Sequence, residues 1–136
     1  MGFQAMEMKM QYLLMIYVNG AQMATMSADA ARQMSEDYAA FTRDIIATGH
    51  FKGGERLQPQ STATTVKVQN GKTLMTDGPF AETREQLAGY YVIEAKDLDE
   101  AVSIAARIPS ASAGAIEVRP IALMDETQLR AYGRAS

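Results

Sequence analysis

Two short apolar runs, Tyr12-Leu13-Leu14-Met15-Ile16-Tyr17-Val18 and Tyr90-Tyr91-Val92-Ile93, carry no interleaved polar residue. A β-strand sends successive side chains to opposite faces, so each run puts apolar groups on both sides of whatever sheet it joins. When helices cover one face of an antiparallel sheet, the other face is ordinarily polar and solvated. Here both faces require cover, and only two long segments have helical periodicity. An uncovered apolar face of that size would exceed the few hundred Å² usual for a monomer. The expectation is therefore a second copy packed sheet against sheet, a homodimer.

The remaining elements follow from periodicity and turn chemistry. Ala31, Met34, Tyr38, Phe41, Ile45 and Thr48 recur at steps of three and four, predicting a helix over about 27–48. Ser27 is its N-cap and Gly49 its left-handed stop. Residues 51–58 read as a weak strand, interrupted by Gly53-Gly54. Residues 63–69 alternate, with Thr64, Val66 and Val68 on one face and Thr65 and Lys67 on the other. Asn70-Gly71 is the preferred type I′ hairpin turn into a strand over 72–76. Thr76-Asp77-Gly78-Pro79 breaks the chain, and a strong strand follows over 88–95. A second helix is expected after Asp97, with Glu100 completing a capping box and Pro109 stopping it. Leu98, Ala101, Val102, Ala105 and Ile108 are its expected buried stripe. A last strand spans 114–121, with Pro120 suiting an edge. The order is β-α-β-hairpin-β-α-β, a ferredoxin-like split βαβ of the α+β class with an added hairpin and two helices on one face of a mainly antiparallel sheet. Residues 1–9 read as a flexible leader, 10–124 as the domain and 125–136 as a polar tail.

Composition removes most familiar chemistries. There is no cysteine and one histidine, His50, which excludes disulfides, thiolate catalysis, cysteine-bound metals and a multi-histidine metal site within one chain. Neither a metal nor a cofactor is expected. Thirteen basic and 16 acidic residues give a net charge of −3, which argues against a nucleic-acid binder. The run 12–18 superficially resembles an export signal. It is short, contains two tyrosines and follows Glu7, so a buried strand fits better and the protein reads as cytoplasmic. No stretch approaches the roughly 18 apolar residues of a membrane span.

Several residues admit a chemical and a structural reading. Asp77, in a Gly-Pro turn at a strand end, offers a carboxylate for general acid–base work if desolvated, or simply stabilises the turn. His50 is either a proton shuttle or a loop residue favoured by the helix C-terminus. Arg56 and Arg119, in Glu55-Arg56 and Glu117-Val118-Arg119, suit an anionic ligand, or cross-strand ion pairs at a sheet or dimer edge. Tyr17 and Tyr91 offer rings and hydroxyls to a ligand, or serve core and interface. Tyr90 and Tyr91, being adjacent, must face opposite sides of the sheet.

The segments YLLMIY (12–17), GGERL (53–57), TDGPFAET (76–83), GYYVIEAKDLD (89–99) and EVRPI (117–121) together resemble the YCII-related family, in particular its DGPF branch. The resemblance runs in order over about 10–124 and implies a dimeric α+β barrel of ferredoxin-like protomers. The wider family includes proteins with a proposed His/Asp dyad, the His on the first helix and the Asp just before a Pro after the second. This chain has no histidine on that helix, and Ile108 precedes Pro109. The resemblance implies no reaction. It leaves two expectations: a small-molecule binder or enzyme using a cleft between helices and sheet, with Asp77 as its catalytic group and Tyr17, Arg56, Tyr91 and Arg119 as ligand contacts; or a non-catalytic partner of an extracytoplasmic-function sigma factor.

Overall fold

The computed structural model describes residues 9–133. Strand β1 (Met10–Asn19) leads through a short helix α1 (Gly20–Ala24) into the long helix α2 (Ala28–Ala47). Strand β2 (Phe51–Arg56) precedes the hairpin β3 (Thr64–Gln69) and β4 (Lys72–Asp77). Strand β5 (Glu85–Ala95), helix α3 (Leu98–Ala105), strand β6 (Ala115–Pro120) and helix α4 (Glu126–Ala131) follow. Four strands form one sheet in the order β2-β5-β1-β6, every neighbour antiparallel, while among the described residues β3 and β4 pair only with each other. With the hairpin set aside, this is the strand order of a ferredoxin-like α+β fold.

Local chemistry sets the boundaries. The Ser27 hydroxyl accepts from Ala30 N–H at 3.1 Å, and Gly49 ends α2 with φ of 80°. Asp97 accepts from Glu100 N–H at 2.9 Å, but the Glu100 carboxylate reaches past Asp97 and accepts from Lys96 N–H at 3.0 Å. Asn70 and Gly71 have φ of 52° and 74°, as a type I′ turn requires. Asn19 caps α1, a helix absent from the sequence expectation, by accepting from Ala21 and Gln22 N–H.

The core lies between α2, α3 and one face of the sheet. Tyr12, Leu14, Ile16, Tyr91, Ile93 and Ala95 from the two central strands meet Phe41 and Ile45 of α2. Tyr91 packs edge-on against Phe41 and Phe51, with ring centroids 5.4 and 6.3 Å away. Two stripes need correction. In α3 the buried residues are Ala101, Ile104 and Ala105, continued by Ile108, whereas Leu98 and Val102 are half exposed on the flank. Successive helical residues are 100° apart, so a stripe centred on 101, 104, 105 and 108 leaves Val102 beyond its edge. In α2, Ala31 and Thr48 are exposed. The fully buried residues of this 20-residue helix, Phe41 and Ile45, lie in its second half, so Ala31 in its first turns is left outside the core. Thr48 instead caps the helix, its hydroxyl donating to Asp44 O at 3.1 Å.

Among the described residues, neither α2 nor α3 packs on the opposite face. Register places Leu13 beside Val92, Met15 beside Tyr90 and Tyr17 beside Leu87 on this open side. Glu55 on β2 and Glu117 and Arg119 on β6 border them. The two-sided apolar character of the central strands is thus real: one face is core, the other an apolar strip with charged margins.

Candidate functional site

The larger depression lies where the hairpin joins the sheet. Beyond β2, Leu57 N–H donates to Ala88 O at 2.8 Å and prolongs the pairing with β5. Pro59 then turns the chain, its carbonyl accepting from the Thr62 N–H at 2.9 Å and hydroxyl at 2.7 Å. The hairpin returns at Asp77. Gly78, at φ of 99°, donates its N–H to Ala63 O at 2.7 Å, and its carbonyl accepts from the Thr65 hydroxyl at 2.8 Å. These bonds hold 57–63 against 78–83 and shape an open cavity of about 570 Å³. Tyr17 and Leu87 of the open face form its floor, and Leu57, Pro59, Pro79 and Phe80 its walls. Gln58, Gln60 and Glu85 add polar groups, Glu85 being the one carboxylate in the lining.

The structure gathers few of the residues singled out from sequence. Tyr17 lies in this cavity. Asp77 is exposed at the end of β4 opposite Thr64 and, among the described residues, its side chain makes no hydrogen bond or ion pair. Gly78 and Thr65 hold the turn in its place. Tyr91 is 8% exposed beneath α2, where its hydroxyl shares a 2.6 Å hydrogen bond with Thr42. Arg56 ends β2 at the surface, and its charge acts on Tyr38 rather than in the cavity. Arg119 pairs with Glu117 on β6. The space between helices and sheet, where a cleft was expected, is filled by the core. Leu57, Pro59, Phe80 and Leu87 were not among the site candidates, although Leu57 and Phe80 belong to the GGERL and TDGPFAET segments. The one available signal was apolar residues within a turn-rich segment, and only the hairpin's return brings them together.

A second, polar depression of about 330 Å³ surrounds His50. Its ring Nδ1 is 2.7 Å from the Thr48 hydroxyl and Nε2 is 3.4 Å from the Glu100 carboxylate, with Glu94 and Lys96 nearby. Glu94 already pairs with Lys52 at 3.7 Å. His50 therefore ties the end of α2 to the start of α3, a joining role. On the core side, Tyr38 and Ser110 share a hydrogen bond of 2.5 Å that fastens α2 to the turn after α3. Burial pushes the hydroxyls of both Tyr38 and Tyr91 above the usual tyrosine value, so both are neutral and suited to structural hydrogen bonding rather than to proton abstraction.

Fold and cavity together define a ferredoxin-like α+β domain carrying an inserted hairpin. The profile of the YCII-related domain matches residues 10–125, and the chain belongs to that family. It is also similar to an uncharacterised protein of Rhizobium meliloti (strain 1021), 35% identical over 122 residues, a span covering 88% of this chain and 98% of that one. Among the described residues, no helix is long and apolar enough to cross a membrane.

Proposed function

We propose that this protein is a small homodimeric binding protein for a compact, largely apolar molecule. It takes its ligand at the cavity between the 78–83 turn and the open sheet face. The observation that carries this reading is the cavity itself. Its volume of about 570 Å³ falls within the roughly 300–1,000 Å³ of small-molecule pockets. Its walls are apolar with a few amides and one carboxylate, the composition such pockets have. The reading is of binding rather than catalysis, because Asp77 is solvated and outside the cavity. The TDGPFAET segment supports assignment to the DGPF branch, and four of its residues, Pro79, Phe80, Ala81 and Thr83, line the cavity. The dimer is supported by the apolar strip of Leu13, Met15, Tyr17, Tyr90 and Val92 on the helix-free face. A cytoplasmic location is supported by Tyr12–Val18 forming a central strand rather than an export signal.

A thermal-shift screen against a metabolite library tests the binding reading. A true ligand at a hundredfold excess over Kd stabilises by about 2.7 kcal/mol. Phe80 is 77% exposed, so Phe80→Ala leaves the fold intact while removing a cavity wall. Loss of the shift in that variant is the expected result. A library without hits, or an undiminished shift in Phe80→Ala, overturns the reading. Light scattering tests the dimer: a species of 14.8 kDa at micromolar concentration refutes it.

A further inference from the structure

We infer that the β3–β4 hairpin is an arm that closes over a second copy of this chain, an inference resting on the face-to-face dimer proposed above. The hairpin is two-faced. Val66 pairs with Met75 and Val68 with Thr73, so one side presents Val66, Val68 and Met75, which are 57%, 67% and 72% exposed. The other side presents Thr65, Lys67, Gln69, Lys72 and Thr76, with Leu74 among them. Such alternation marks a ladder built to bury one face, yet among the described residues neither strand pairs with any other strand of its own chain. A lone two-stranded hairpin is marginally stable at best in water. The apolar side of this one needs a partner that is always present.

Surface area identifies that partner. The chain exposes 9952 Å², against about 7000 Å² for a compact monomer of 14.8 kDa. Even when the residues outside 9–133 are counted as fully as an unfolded chain would expose them, an excess of roughly 1700 Å² remains. A stable specific dimer needs about 800 Å² from each partner. With strands of ten, eleven, six and six residues, the open sheet face measures about 500 Å² in projection, so the face alone falls short of that figure. The hairpin supplies the difference from the right place. Its base, at Ala63 and Pro79, borders the same cavity as Tyr17 and Leu87 of the open face. The arm therefore springs from the margin of the surface that the second copy covers.

The test uses the full chain in two forms. The first is Val66→Thr, Val68→Thr and Met75→Gln combined, which keeps strand propensity and removes only exposed apolar groups. By sedimentation equilibrium the dimer dissociation constant should rise at least about a hundredfold, with circular dichroism unchanged. The second is Met75→Cys, the sole thiol in a chain without cysteine, carrying a nitroxide label. The label should be immobilised in the dimer and released when Met15→Lys, on the open face, splits it. A wild-type dimer whose dissociation constant the triple variant leaves unchanged overturns the arm while sparing the face-to-face dimer. A label mobile in the dimer, or immobilised in the monomer, also overturns it. Wild-type protein that sediments at 14.8 kDa overturns both.

Discussion

The hydroxyl of Tyr91, in the middle of the sheet, lies 2.6 Å from that of Thr42, on a helix 49 residues earlier in the chain. The pair pins α2 to β5 beside the Phe41 and Phe51 rings, where water has little access. Thr42→Val strands the Tyr91 hydroxyl and should cost about 1–3 kcal/mol in denaturant unfolding. Tyr91→Phe removes the buried partner and leaves the less buried Thr42 hydroxyl, so it should cost less. The double variant should lose clearly less than the sum of the singles. Strict additivity would show that the bond contributes nothing.

Alkali should unfold the protein by a route these tyrosines define. Burial is the main cause raising Tyr38 and Tyr91. For Tyr38 the Ser110 hydrogen bond and the Arg56 charge oppose it, while the nearby Tyr91 adds to it; for Tyr91 the Thr42 hydrogen bond opposes it. A group whose folded pKa exceeds its unfolded value contributes stability below the unfolded value and loses it as pH rises through the folded one. Stability from these residues should thus be flat up to about pH 9 and fall above about pH 10. Denaturant midpoints measured across that range check it. Tyr38→Phe combined with Tyr91→Phe should make the high-pH decline shallower.

The paired glycines of GGERL should behave differently. A Cβ at Gly53 meets nothing within 4 Å, whereas one at Gly54 would lie 2.8 Å from the Tyr90 carbonyl and 2.9 Å from the Tyr91 ring. Gly53→Ala should change stability by less than about 0.5 kcal/mol, and Gly54→Ala should destabilise by about 1–3 kcal/mol. Equal losses would contradict this placement of β2 against β5.

Asp77→Asn is expected to be silent. The carboxylate is exposed and its turn is held by Gly78 and Thr65, so the melting curve should move by no more than about 0.5 kcal/mol. Ligand shifts found in the screen should survive as well. Loss of a ligand shift with an unchanged melting curve would restore Asp77 to a chemical role.

Much of this architecture was legible because its signals are local. The 3.6-residue stripe through Tyr38, Phe41 and Ile45, the caps at Ser27 and Asp97, and the Asn70-Gly71 turn each follow from neighbouring residues. The absence of alternation in 12–18 revealed an apolar second face. Alternation places Tyr90 and Tyr91 on opposite faces without saying which one the helices cover, so Tyr91 passed as a ligand contact although it is core. The cavity was illegible for a different reason. Leu57, Pro59, Phe80 and Leu87 lie on segments that meet only through the hairpin, and no periodicity encodes that meeting. Tyr17 stood out because it belongs to the apolar run, and the exposure of Asp77 could not be read because a sharp turn looks the same whether or not its side chain has a partner.

Both borders of the four-stranded sheet are blunt. On one side β6 carries Glu117, Arg119 and, at its end, Pro120, which has no N–H to give. On the other, β2 is six residues long, contains two glycines and slips register between Phe51 and Gly53. Neither border offers a straight template to a passing strand, which disfavours strand-to-strand growth at the sheet edges. A dimer through the flat side, as proposed, would be self-limiting, because a twofold contact uses the same patch on both copies and closes on itself.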